Sequence, residues 1–225
     1  MLQAVLDFIG FGLCHQIPER SFFAGGMQVP VCARDTGIYV GFAVAFGVLA
    51  LLQRDRPSRV PPVWVSAVLA LGVLAMLYDG ATSYLGLRPT TNELRLLTGL
   101  LTGYAIAAWI MPILSGELWR IPGHGRVLGD IRTFALWLVS LGITFAAVWW
   151  VGPLLGLVYP VLVAVAIVTT FTVVNAVIVS LLPAFGRRSE RLRDASPLLG
   201  IALVLTVIEL AASAALKQWL LALAT

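Results

Sequence analysis

Residues 133–186 contain no Asp, Glu, Lys, Arg or His. A run of that length and character has few places to fold except a lipid bilayer, because one membrane-spanning helix needs roughly 20 mostly apolar residues. The rest of the chain agrees: 60% of its 225 residues are hydrophobic and 12% charged, against about 25% charged in a typical soluble domain. In lipid every backbone N–H and C=O must find an internal partner, which leaves helices or a closed barrel. Barrel strands would alternate apolar with polar residues, and these runs are apolar on every side. The expected fold is therefore all-α and integral to the membrane, a six-transmembrane-helix bundle forming a single polytopic domain over residues 1–225. Spans are predicted at about residues 36–53, 62–79, 92–114, 133–151, 157–184 and 197–221. Gly152, Pro153, Gly156 and Pro160 punctuate the charge-free run and divide it into two helices.

The first thirteen residues are apolar but too short to span. They include Asp7 and lack the basic start and clear cleavage site of a signal peptide. They read as a short interfacial or re-entrant helix.

The net charge of +4 is a matter of topology and gives no reason to expect nucleic acid. Arg54, Arg56 and Arg59 follow the first span; Arg120, Arg126 and Arg132 follow the third; Arg187, Arg188, Arg191 and Arg193 follow the fifth. The other side holds Arg20, Arg34, Arg88, Arg95 and Lys217. The positive-inside rule then places the first set in the cytoplasm and both termini outside a cell membrane, with the lipid bilayer as the obligatory partner.

That topology gathers most of the remaining polar residues on the outer face. Cys14 and His15 precede the first span; Cys32, Arg34 and Asp35 open it; Asp79 lies near the end of the second, followed by Arg88; Asn92 and Arg95 open the third. Two thiols, an imidazole and a carboxylate are a donor set that suits a divalent ion, zinc foremost. Residues three apart at a helix start converge on one point, so Cys32 and Asp35 are paired ligand candidates, with Cys14 and His15 completing the set if Gly25, Gly26 and Pro30 fold the intervening segment back. The same residues allow plainer roles. Cys14 and Cys32 can form a disulfide or stay free thiols, and Asp35 can favour a helix N-terminus. Asp79 and Arg95 are candidate catalytic groups, although a simple Asp79–Arg95 ion pair would also account for them. Arg34, Arg88 and Asn92 are candidate substrate contacts, guanidinium being well matched to phosphate. Glu209, mid-span in the sixth helix, is a further candidate contact, with Asn175 and Thr172 at similar depth. Gly37 with Gly41, and Gly99 with Gly103, follow the small-xxx-small pattern of close helix packing.

The segments Cys14-His15 with Arg20-Ser21-Phe22, and Cys32-Ala33-Arg34-Asp35-Thr36-Gly37 with Tyr39 and Gly41, resemble an uncharacterised family of predicted prokaryotic membrane proteins defined by a domain of unknown function. Its pattern reads Cys-His-x-x-x-x-Arg-Ser-Phe, then Cys-x-Arg-Cys-Thr-Gly-x-Tyr-x-Gly. Asp79-Gly80 and Arg95-Leu96-Leu97-Thr98-Gly99 look like its later motifs, and the resemblance covers about residues 10–105. Asp35 stands where the family pattern has the second Cys of Cys-x-x-Cys. That substitution speaks against a Cys-x-x-Cys redox mechanism and is compatible with a metal site.

Three functions compete. The first is an outer-face metal-dependent hydrolase or transferase acting on an anionic small molecule or a lipid-linked phosphate. The second is a small-solute or ion transporter or capture subunit, with Glu209 on its path. The third is a structural protein stapled by zinc or a disulfide.

Overall fold

The computed structural model describes residues 2–223. Met1, at the start of the N-terminal apolar segment, and residues 224–225 lie outside the described residues. Six helices are long and apolar enough to cross a membrane. In chain order the elements are α1 (Leu2–Phe11), a hairpin of β1 (Ser21–Ala24) and β2 (Met27–Cys32), α2 (Ala33–Leu52), β3 (Pro57–Arg59), α3 (Val63–Tyr84), α4 (Asn92–Leu118), β4 (Gly123–Arg126), α5 (Ile131–Ala146) running into a π-helical turn (Ala147–Val151), α6 (Val158–Ser180) and α7 (Ser196–Leu223). The expected helices are all present. The main boundary change is that α3 continues past Asp79 to Tyr84, so Asp79 lies within a helix rather than at its tip.

α4 is the most buried of the six and packs against α2, α3, α5 and α6, while α7 packs on α6. Its closest partner is α2. A Cβ on Gly99 would lie 2.1 Å from the Arg34 carbonyl oxygen, one on Gly103 2.2 Å from that of Ile38, and one on Gly37 2.5 Å from that of Leu96. Backbone thus meets backbone along the line that the two glycine pairs predict. Several polar groups inside the bundle are satisfied locally, as lipid demands: the Tyr104 hydroxyl lies 3.0 Å from both Ser140 and Thr144 hydroxyls, and the Trp137 indole donates to the Ala45 carbonyl; the buried Tyr159 hydroxyl has no such partner.

The two ends of the bundle differ. At one end the Arg-rich loops are tied together. β3 pairs with β4, Trp119 bridges to Ser189, and Gln53 donates to the Arg126 carbonyl while accepting from the Leu128 amide. At the other end the N-terminal segment caps the helices. α1 is the expected short apolar helix; it lies against α6 and α7, with Leu2, Val5 and Phe8 left exposed. The segment after it is a true antiparallel hairpin, Phe23 opposite Gln28 and Ala24 opposite Met27. Gly25 and Gly26 turn it, both at positive φ (58° and 75°), the conformation that two-residue hairpin loops require.

Substitution tests the α2–α4 contact directly. Gly99→Ala and Gly103→Ala should each cost about 1–3 kcal/mol by overpacking, read as a lowered Tm of the detergent-solubilised protein. Gly47→Ala, where a Cβ meets nothing within 4 Å, should leave the Tm unchanged.

Candidate metal centre

The hairpin decides where the thiols go. Cys14 follows α1, whose last carbonyls are capped by Lys217 of α7: its ammonium donates to the carbonyls of Phe11 and Cys14, both at 2.7 Å. Gln16, at φ 54°, donates its side-chain amide to the carbonyls of Asp7 and Pro30, and Gln28 donates to the Gln16 carbonyl. These bonds lock the loop after α1 onto β2. Cys32, the last residue of β2, donates its backbone amide to the Cys14 sulfur at 3.3 Å. As the N-cap of α2 it places its own thiol 3.2 Å from Asp35 Oδ2, one turn on.

Cys14, Cys32 and Asp35 therefore form one cluster, with a ligand atom from each lying within 4.8 Å of the other two. Both cysteines are free thiols. His15 is exposed and is not part of this group. The two thiols are unequal. A side-chain hydrogen bond from the Cys32 thiol is the main influence holding Cys14 below the usual thiol range. The same contact, with burial and the Asp35 carboxylate, pushes the Cys32 thiol up. Two sulfurs and a carboxylate oxygen at this spacing could hold a metal ion.

Arg34 stands between Cys32 and Asp35 in sequence and turns to the other side. Its guanidinium bonds Asp79 Oδ2, while Arg88 Nη2 at 2.6 Å and the Thr90 hydroxyl at 2.7 Å share Oδ1. The Asp79 side chain is only 2% exposed. The simple Asp79–Arg95 pair is thus replaced by an Asp79–Arg34–Arg88 triad, because Arg34 at the start of α2 and the loop after α3 reach the carboxylate first. Arg95 is 8% exposed. Its Nη1 donates to Asn92 Oδ1 at 3.0 Å, and no carboxylate pairs with it among the described residues. Asn92 in turn donates to the Glu19 carbonyl. One carboxylate, Asp79, thus faces two guanidiniums, those of Arg34 and Arg88, and the Arg34 Nε is buried without a hydrogen-bond partner.

Glu209 is not hydrogen-bonded into this end of the bundle. Its carboxylate accepts from Asn175, which also donates to Thr206, both at 3.1 Å, and Thr172 approaches the Thr206 hydroxyl. The expected depth match is met, although the Glu209 side chain faces out of the bundle. Lys217 and Thr90 were not foreseen. A lone cation in an apolar helix was a signal for Lys217; nothing in the sequence marked Thr90.

Two measurements check this geometry. Asp79→Ala strands buried guanidinium charge and should cost about 3–5 kcal/mol of stability, seen as a large fall in Tm. In chelator-treated protein, Cys14 should react with a maleimide before Cys32. A lowered pKa supplies thiolate at lower pH, so labelling of Cys14 should begin below the ordinary thiol value of about 8.5, with Cys32 protected throughout the neutral range; peptide mapping reads the order.

Comparison with known proteins agrees with the sequence motifs. Residues 14–109 match the family described as "Predicted membrane protein (DUF2085)". An uncharacterized protein of Methanocaldococcus jannaschii is 38% identical over 108 residues, 48% of this chain and 67% of that protein. An uncharacterized protein of Methanothermobacter thermautotrophicus is 37% identical over 98 residues, 42% of this chain and 81% of that protein. No solved structure matches significantly. The matched region holds the thiols, Asp35, the Asp79 triad and Arg95, and the chain belongs to this family of predicted membrane proteins.

Proposed function

We propose that Cys14, Cys32 and Asp35 hold a divalent ion, zinc by the chemistry of the donors, and that this centre acts as a hydrolase or transferase site for an anionic, lipid-linked phosphate at the outer membrane face. The observation that carries the reading is the convergence of three ligand atoms within 4.8 Å beside a group of guanidiniums that outnumbers its carboxylate. The outward orientation rests on the Arg-rich loops at the opposite end, which the positive-inside rule assigns to the cytoplasm. A bound zinc would supply a Lewis-acid position for a water or a phosphoryl oxygen.

The protein's own groups divide the remaining work. Arg95, buried and free of any carboxylate partner among the described residues, binds the phosphate. Arg34 and Arg88 face the same anion from the side of α3, and Asn92 fixes the Arg95 fork through its amide oxygen. Asp79 has both oxygens committed to donors, so it serves best by holding Arg34 and Arg88 in place; a base role would require one of them to move when substrate binds. His15, next to Cys14, is the remaining candidate for the fourth ligand. A closed four-ligand site would favour a structural centre, and an open position favours catalysis.

A second reading, solute capture or transport, is supported by one feature, the mid-span Glu209 carboxylate with Asn175 as its neighbour. Glu209→Gln should abolish uptake under that reading and leave an outer-face enzyme nearly unaffected.

The direct test is metal content by mass spectrometry. Purified wild type should carry about one equivalent of zinc, following the one-site donor set; the Cys14→Ser/Cys32→Ser double variant should carry none. Retention in His15→Ala would leave the fourth position open, and loss would close it. Arg95→Ala should keep the metal and weaken binding of farnesyl phosphate by about tenfold or more, the scale of a charged hydrogen bond. Wild type devoid of metal under metal-replete expression would sink the proposal.

A further inference from the structure

A second cavity lies at the opposite, Arg-rich end of the bundle. It measures about 410 Å³ and is enclosed by the ends of α2, α4, α6 and α7, with Phe46, Met111, Leu114, Val173 and Leu199 on its walls and Arg54 and Arg56 beside them. Its lining is apolar where the helices meet and cationic where the loop begins.

The cations at this rim differ from their neighbours. Arg120 is paired with Glu190 at 2.5 Å, and Arg187 with Glu117 at 3.3 Å. Arg54 and Arg56 have no carboxylate partner among the described residues. Arg56 is also held in place: it takes φ 56°, its amide donates to the Gln53 carbonyl, and its guanidinium stacks 3.7 Å from the centroid of the Trp119 ring. Stacking on an indole face fixes the plane of the guanidinium without consuming its donors. Gln53 and Ser115 also line the cavity; Gln53 is bonded to the Arg126 carbonyl and the Leu128 amide, and neither side chain carries a charge to offset the two arginines.

An apolar cavity between membrane helices with two unneutralised arginines at its mouth calls for an occupant that is apolar along its length and anionic at one end. We infer that this cavity is a binding site for an anionic glycerophospholipid of the leaflet on the Arg-rich side, its acyl chain between α2, α4, α6 and α7 and its phosphate on Arg54 and Arg56. Basic pockets between helices on the cytoplasmic side take acidic lipid head groups for the same reason. The site is separate from the thiol cluster, and the inference does not depend on the metal reading.

The test uses the full-length protein, delipidated in a neutral detergent, titrated with phosphatidylglycerol, phosphatidylcholine or glycerol 3-phosphate while Tm is followed and bound lipid is counted by native mass spectrometry. Phosphatidylglycerol should raise the Tm by several degrees and remain bound at one copy; phosphatidylcholine and glycerol 3-phosphate should do neither. Arg54→Gln/Arg56→Gln should weaken phosphatidylglycerol binding roughly 30-fold, the product of two head-group arginines. Ala50→Trp fills the cavity from an exposed position and should abolish the shift with both charges intact. Equal shifts with the two lipids, a shift with glycerol 3-phosphate alone, no shift with any of them, or full retention in the double Arg variant would each overturn the inference. The wild-type comparison among the three ligands decides the matter even if a variant fails to fold.

Discussion

The contact of α2 with α4 sets the geometry of everything at the capped end. A hydrophobic effect cannot drive two helices together inside lipid, because the tails are as apolar as the side chains. Close approach must come from small residues, and Gly37, Gly41, Gly99 and Gly103 supply it: Gly37, Gly99 and Gly103 meet the backbone of the opposite helix, and Gly41 meets Leu100. The first turns of both helices are thereby held side by side. Cys32, Arg34 and Asp35 on one, and Asn92 and Arg95 on the other, occupy a common end because the glycines below them leave no room for drift.

Electrostatics divides that end in two. On one flank a carboxylate and two thiols converge and would repel one another if all were ionised, which is the usual condition of a site built for a cation. On the other flank the guanidiniums outnumber Asp79. Arg34 belongs to both neighbourhoods through its position in sequence, yet its charge is spent on Asp79. The thiol–carboxylate cluster and the Arg34–Asp79 ion pair both lie at the first turn of α2. The proposed metal-assisted reaction on a phosphate rests on that adjacency, since a bound ion and the guanidiniums would both face the anion.

The helices were legible because lipid makes their signal strong: long uniform apolar runs, ended by arginines. The convergence of Cys32 and Asp35 was also legible, as helix spacing alone brings them together. Partner choice was not. Asp79 is served by Arg34 and Arg88 rather than by Arg95, a selection made by how far the loop after α3 folds back, and local sequence carries no record of that. Thr90 entered the triad for the same reason. The hairpin over residues 21–32 was visible only as a flexible return, since Gly25 and Gly26 announce a turn without specifying the register that sets the Cys32 amide on the Cys14 sulfur. His15 shows the limit from the other side: its neighbour is in the cluster, and adjacent residues in an extended loop point different ways.

Lys217 carries a last consequence. It belongs to the final helix, and it holds the two carbonyls from which the Cys14 loop hangs, while Ser213 one turn earlier donates to the Gly12 carbonyl. The first cysteine is thus fastened by a helix that lies 203 residues further along the chain. During biosynthesis α2, α3 and α4 can be in the bilayer while the Cys14 loop still lacks its anchor. Until α7 is in place the Cys14 loop is held by its bonds to α1 and β2 through Gln16 and Gln28, so its final position depends on a helix synthesised after α2, α3 and α4.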